Sequence, residues 1–330
     1  MDAETIRKIN LIEVLEEQYP TCEAIPRESA WWWTEEDVRA WFCSGGAEDA
    51  NARANVEDDF KKWFPGLERS GTTVKGRTPR LRVLCFANAG NTEDLYTHEG
   101  TGERRAKSPL LEWCKVNDAE VLSVQLPGRA ARKDESFIFE IRKVAQALLP
   151  IVAGKLADVP YVCIGHSLGT WICHELLMSL RAVGLPMPRQ VFLSAFPFPD
   201  MPNKLRPWRI NAHLNDADFK EECRRWDVNE LIFQNGMWDI YQPLMRSDFH
   251  LFDKYDYVHL DEDNFSFPIT TFYATSDKMI TREMVEGWET HTTAAFECIA
   301  VTGNHLFPLQ KESKARWLEL IVDRLAKIEL

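Results

Sequence analysis

From residue 80 onward, six short and almost uninterrupted apolar runs recur along the chain: "LRVLCFA" (81–87), "EVLSVQL" (120–126), "YVCIG" (161–165), "QVFLSAF" (190–196), "ITTFYAT" (269–275) and "FECIAVTG" (296–303). A strand with one wet face alternates apolar and polar residues. A run apolar on both faces must be covered on both sides, as the strands of a parallel sheet are. Stretches of helical periodicity fall between several of the runs, notably 137–154 and 168–182, and a last one fills 313–328. The pattern predicts an α/β fold, a mostly parallel sheet with helices on both faces.

Composition permits this. The chain has 330 residues, 45% of them hydrophobic, enough for one large domain with an accessory piece. A net charge of −12 argues against nucleic acid or an anionic membrane surface as the main partner, because both attract basic surfaces. No apolar run reaches the roughly 18 residues that a membrane span needs. The start, "MDAETIRKINLIEVLEEQ", is acidic and helical in pattern, unlike a signal or transit peptide. Cys22, Cys43, Cys85, Cys114, Cys163, Cys173, Cys223 and Cys298 form no C-x-x-C pair, and several sit inside apolar strands, as buried thiols of a reducing compartment do. The expected location is the cytoplasm, or an organelle if a transit peptide has been removed from a longer precursor.

Two segments break the rhythm. Residues 1–78 are expected to be a small helical, Trp-rich N-terminal extension to the 79–330 domain. They hold an amphipathic stretch (4–18), Thr34 as a helix N-cap ahead of Glu35, Glu36 and Asp37, and a Gly/Ala/Asn-rich break at 44–55. Trp31, Trp32, Trp33, Trp41 and Trp63 read as packing of small helices or as an aromatic surface for a partner protein, and 70–80 reads as a linker. Residues 201–262, polar and rich in helix formers between two strands, read as an inserted helical lid.

Chemistry concentrates at 161–177, "YVCIGHSLGTWICHELL". Gly165-His166-Ser167-Leu168-Gly169 has the G-x-S-x-G pattern of a nucleophile elbow, in which small residues let strand and helix approach on a tight turn. The flanks agree: a buried strand precedes it, and Leu168, Trp171, Ile172, Leu176 and Leu180 follow at helical spacing. A serine hydroxyl needs a positioned base, and this type of elbow orders its groups serine, acid, histidine. Asp277 follows the fifth apolar run and His305 the sixth, both just past strand ends, where reactive groups of such sheets gather. Asp200 and Asp248 are the competing acids; the other histidines fall beside the elbow, in loops or in the lid. An oxyanion hole would draw backbone N–H groups from Leu168, directly after the serine, and from Ala89 in the loop "CFANAGNT" (85–92). That loop has neither a Walker lysine nor G-x-G-x-x-G spacing, so it is not a phosphate cradle.

Several segments together resemble the type II thioesterases, stand-alone α/β hydrolases that serve polyketide and non-ribosomal peptide synthases. They are "VLCFANAGNT", "VLSVQLPGRAAR" with Arg129 and Arg132, the elbow "CIGHSLG", "PLMRSDF" and "GNHLFPL", in the expected order over 80–325. Asn91 and Asn304 stand where the family has glycine. Residues 92–108 are longer and more charged than the family shows there. The N-terminal 78 residues match nothing in it.

The resemblance implies an α/β-hydrolase fold and hydrolysis of acyl or aminoacyl thioesters from the phosphopantetheine arm of acyl or peptidyl carrier proteins. It implies an acyl-serine on Ser167, no cofactor beyond the arm carried by the substrate, and no metal. Trp226, Phe233, Trp238 and Tyr241 would line an acyl pocket or pack within the lid. Because carrier proteins are acidic too, docking would need a local basic patch, and Arg104, Arg105 and Lys107, or Arg129, Arg132 and Lys133, are the candidates. The alternatives are a carboxylesterase, lipase or acyltransferase on the same fold, and a catalytically silent binding protein.

Overall fold

A computed structural model describes residues 50–101, 105–260 and 262–329 of the chain. Six strands, β1 (Leu81–Phe86), β2 (Ala119–Ser123), β3 (Tyr161–His166), β4 (Gln190–Ser194), β5 (Ile269–Ala274) and β6 (Phe296–Val301), form one sheet in the order β2-β1-β3-β4-β5-β6. Every neighbouring pair is parallel. The helices are α1 (Ala50–Trp63), α2 (Leu67–Ser70), α3 (Asp94–Thr97), α4 (Pro109–Val116), α5 (Ile141–Ala157), α6 (Leu168–Ala182), α7 (Asp216–Arg225), α8 (Met237–Asp253), α9 (Arg282–Glu286) and α10 (Lys311–Leu325).

The unbroken apolar runs follow from burial on both faces. In β1, Leu84 and Phe86 join one hydrophobic core while Leu81, Val83 and Cys85 join the other; β3 splits Tyr161 and Cys163 from Val162 and Ile164 in the same way. This is the period of two expected of a pleated strand, with both halves apolar. The first core is closed by α5 and α6, the second by α4 and α10, through Leu110, Leu111, Trp317 and Ile321 among others. Truncating a side chain such as Ile164 to Ala would cost about 2–5 kcal/mol.

The order of strands reverses between β1 and β3, since β2 lies outside β1 while β3 to β6 continue the other way. Such a switch point opens a crevice at the carboxyl ends of its two strands. The turn after β3 and the loop after β1, the two segments expected to supply the nucleophile and the oxyanion donors, both end there.

Between β4 and β5 the chain builds α7, α8 and short 3-10 turns. An aromatic cluster seats this insertion on the sheet: Trp208 stacks on Phe196 at 5.5 Å between ring centres, and Trp226 and Phe252 meet the same ring at 6.2 and 5.8 Å.

Three expectations change. The segment 44–55 was expected as a break, yet α1 already begins at Ala50. The second apolar run was expected to continue to 126, but β2 ends at Ser123; Val124 N–H still donates to Cys85 O, and Gln125 N–H turns to Trp63 O at 2.8 Å. Residues 70–80, expected as a linker, are pinned along the outer edge of β2: Val121 N–H donates to Thr72 Oγ1 and Val74 N–H to Glu120 Oε1. That covers an otherwise open sheet edge. The stretch 4–18, the Thr34 cap, Trp31, Trp32, Trp33 and Trp41 lie outside the described residues. Trp63 is buried with Phe60 and Phe64 in the first core.

Candidate active site

Ser167 sits between the last residue of β3 and the first of α6, with φ 52° and ψ −129°. A non-glycine residue there is strained, at about 1–3 kcal/mol, and persists only where its surroundings force it. The glycines show what forces it. A Cβ on Gly169 would lie 2.3 Å from Phe86 O, and one on Gly165 would lie 2.9 Å from Gly169 O. The start of α6 therefore presses on the end of β1 with no room for a methyl group, and the serine is lifted onto the turn. Its own N–H donates to Ser194 O at 2.8 Å.

The structure brings the three sequence-predicted side chains together. His305 Nε2 lies 2.8 Å from Ser167 Oγ, and His305 Nδ1 lies 2.7 Å from Asp277 Oδ2. The other carboxylate oxygen of Asp277 accepts from Met279 N–H at 2.9 Å and Ile280 N–H at 3.0 Å. Burial alone would raise the Asp277 pKa, but His305 and these N–H donors outweigh it and hold the carboxyl below the usual range. The ionised Asp277 carboxylate accepts a hydrogen bond from His305 Nδ1–H, which leaves Nε2 as the acceptor facing Ser167.

Sequence reasoning missed what holds His305. The His305 N–H donates to Asp227 Oδ2 at 3.2 Å, and Asp227 Oδ1 pairs with Lys278 Nζ at 2.6 Å. The Trp226 ring meets the His305 ring at 4.7 Å in an edge arrangement. Both residues belong to the insertion. From below, buried His166 sits with Nε2 3.1 Å from His305 O and Nδ1 2.9 Å from Ser194 Oγ. A carbonyl can only accept, so His166 carries its proton on Nε2. Burial, then the neighbouring His305, pushes the His166 pKa well below its ordinary value and keeps it neutral. The elbow's own "GHSLG", which sets His166 beside the nucleophile, is the one signal in the sequence for it.

Three of the resemblance segments meet in one buried ion pair. Arg129, from "LPGR", donates Nη1 to Asp248 Oδ2 at 2.7 Å and Nη2 to Asp248 Oδ1 at 2.5 Å. Arg129 Nη1 also donates to Asn91 O at 3.1 Å, and Gly90 N–H donates to Asp248 Oδ2 at 2.7 Å. Arg129 and Asp248 are 5% and 1% exposed, so the bidentate pair is sealed from water. It fixes the loop carrying Ala89 against α8. Ala89 lines the same cavity as Ser167, and Leu168, the first residue of α6, presents an N–H that no turn of its own helix can satisfy.

That cavity, about 210 Å³, is lined by Asn88, Ala89, Ser167 and His305 on the sheet side and by Trp226, Ile232, Tyr241, Met245, Phe249 and Phe252 on the insertion side. Of the four aromatics expected at an acyl pocket, Trp226 and Tyr241 line it. Trp238 is buried instead, with its Nε1 donating to Asp216 at 2.6 Å and its ring 5.2 Å from Phe233. The competing acids are engaged elsewhere: Asp248 with Arg129, and Asp200 with His291 at 2.8 Å.

The docking patches need correction. Arg129 and Arg132 are buried, and Arg132 bonds Glu135 and Gln125 O while its guanidinium lies 4.3 Å from the Trp63 ring centre. Neither can meet a partner. Lys133 is exposed and pairs with Asp134. Arg105 and Lys107 are exposed, 3.5 Å from Glu99 and 4.0 Å from Glu112, while Arg104 lies outside the described residues. Among the described residues no group of three His, Cys, Asp or Glu side chains is arranged to hold a metal, and no helix is long and apolar enough to cross a membrane.

A parallel sheet of this strand order, with a strained serine after β3, an aspartate after β5 and a histidine after β6, defines an α/β hydrolase. The chain belongs to the thioesterase family: the model of the thioesterase domain matches residues 114–325. It is accordingly a hydrolase of thioesters. It is similar to the gramicidin S biosynthesis protein GrsT of Aneurinibacillus migulanus, 27% identical over 268 residues that cover 80% of this chain and 94% of that protein. Among solved structures it is similar to RedJ, a thioesterase from the prodiginine biosynthetic pathway of Streptomyces coelicolor. The identity is 27%, the TM-score 0.63, and the match covers 74% of this chain and 90% of that one. BorB, a type II thioesterase from the borrelidin biosynthetic cluster, shares the fold at 23% identity and TM-score 0.62, over 77% of this chain and 96% of its own.

Proposed function

We propose that this protein releases acyl or aminoacyl groups from the phosphopantetheine arm of carrier proteins. The observation that carries the proposal is the hydrogen-bonded chain Ser167–His305–Asp277 opening into an apolar cavity, in a thioesterase-family chain whose relatives serve peptide and prodiginine biosynthesis.

Ser167 Oγ attacks the thioester carbonyl as His305 Nε2 takes its proton, and Asp277 steadies the imidazolium that forms. The negative charge on the carbonyl oxygen is met by the N–H groups of Leu168 and Ala89. Collapse expels the thiol with the proton from His305 and leaves an acyl-serine. Water, deprotonated by His305, then cleaves the ester to the free acid and restores Ser167. Each proton has a residue to carry it, so the reading calls for no cofactor. We assign residues 79–330 to the hydrolase domain, 1–78 to an extension, and 201–262 to a lid whose Trp226, Tyr241, Met245 and Phe249 receive the acyl chain.

Intact-mass measurement on a panel of acyl-loaded carrier proteins tests this. Wild type converts them to the free-thiol form, and Ser167→Ala does not. Turnover confined to simple oxygen esters would refute it.

A further inference from the structure

A second cavity, about 500 Å³, adjoins the first. It runs between the segment after β1 and the start of α10 and shares Asn91 and Leu309 with the catalytic cavity, so these two residues stand between the cavities. Its remaining lining includes His98, Lys107, Lys311 and Lys314. One wall is therefore built by residues between 94 and 100 and between 106 and 108, within the stretch that reads as longer and more charged than in the resembled family.

The charges in this cleft are unevenly matched. Its two acids are occupied: Asp94 pairs with Arg69, and Glu99 accepts from Ser108 N–H at 3.0 Å and pairs with Arg105 at 3.5 Å. The lysines are not. Among the described residues, Lys311 and Lys314 make no side-chain hydrogen bond or ion pair, and Lys107 reaches Glu112 only at 4.0 Å. Lys314 is half-buried without a direct ion-pair partner among the described residues. Burial pushes its ammonium below the usual lysine range, while Asp94 and Glu99 pull more weakly the other way. A desolvated ammonium left open in a cavity gains most from a bound anion.

We infer that this cleft seats the phosphodiester of the phosphopantetheine arm, with Lys311 and Lys314 as its cationic contacts and Lys107 at the rim. The arm would then pass Asn91 and Leu309 to place its thioester at Ser167. This rests on the carrier-protein reading above. It also gives an acidic protein a local way to hold an anionic group, without a basic face.

The test compares acyl-phosphopantetheine with acyl-pantetheine, two thioesters that differ only in the phosphate. Wild type prefers the phosphorylated substrate in kcat/KM. In Lys311→Met/Lys314→Met the ratio of the two kcat/KM values falls about tenfold, the loss expected from one or two charge-assisted contacts. Raising the salt erodes the wild-type ratio, because the site is partly exposed. Lys314→Gln, a milder change, gives an intermediate ratio, and because each ratio is internal to one variant it is insensitive to loss of folded protein. Equal wild-type activity on both substrates, or an unchanged ratio in the variants, overturns the inference. If carrier proteins are deacylated but phosphate makes no difference, only the cleft assignment fails; if carrier proteins are not deacylated, the proposed function fails first.

Discussion

Asp248→Asn should separate stability from turnover at the loop that carries Ala89. Asp248 accepts three strong hydrogen bonds, two from Arg129 and one from Gly90 N–H, in a site 1% exposed. Asparagine keeps one acceptor oxygen but removes the charge, leaving the Arg129 guanidinium buried without a counter-ion. Breaking a buried pair in this way costs about 3–5 kcal/mol, a large part of the roughly 5–15 kcal/mol that holds a typical fold. The loop is then free to shift, and losing one oxyanion donor costs about 10²–10³ in kcat. Urea denaturation reads the first effect and saturating turnover of an acyl-pantetheine thioester reads the second. The double variant Arg129→Met/Asp248→Leu replaces the ions with apolar side chains of similar bulk and should recover most of the stability. It offers Gly90 N–H no acceptor, so its kcat should stay low. If turnover returns with stability in the double variant, the pair is merely structural and the anchoring argument is wrong.

Other perturbations address the remaining contacts. Asp277→Asn presents an amide to His305 Nδ1 and favours the wrong tautomer, so kcat should fall by roughly 10⁴ while denaturation changes little; a loss under tenfold in single-turnover kinetics would remove Asp277 from the chemistry. Asp227→Ala deletes the acceptor for His305 N–H and strands Lys278 near the site, and a 1 Å displacement of the base is worth up to about 10²-fold, whereas Asp227→Asn, which keeps an acceptor oxygen, should lose less. Equal losses in the two variants would count against a positioning role. His174 is buried beside His259 and His291, and burial first, then those two rings, holds its pKa well below 6.5. The unfolded chain binds that proton below about pH 6.5 and the folded chain does not, so stability is lost as pH falls through this range. His174→Phe should therefore lose less urea resistance than wild type between about pH 7.5 and about pH 5.5, and identical losses would show that His174 does not set the slope.

The parts of this molecule that could be read from its sequence are those governed by local rules. Burial on both faces forces continuous apolar strands, and the strand-end rule then places Ser167, Asp277 and His305 at one end of the sheet. What escaped depends on long-range contacts. Asp227 meets His305 across 78 residues, Arg129 meets Asp248 across 119, and His166 meets His305 O across 139. Nothing in the local pattern marks such pairs. Arginines usually lie on the surface, so Arg129 and Arg132 read as docking groups; burial became possible because each found acceptors deep in the fold. The start of α1 was hidden because its first turns are rich in Ala and Asn: composition suggested a break, although alanine is the best of helix formers.

Ser167 and the base that serves it are separated by 138 residues, and β6 must dock on β5 before His305 can reach its place. Parallel sheets with such distant pairings form slowly, because the intervening loops must close before any contact rewards them. During synthesis, then, the residues of the elbow emerge well before Asp277 and His305. The hydroxyl stays inert until the last strand is in register. A chain that stalls or misfolds before that point cannot strip acyl groups from its surroundings, and hydrolytic activity becomes a direct report that the whole sheet has closed.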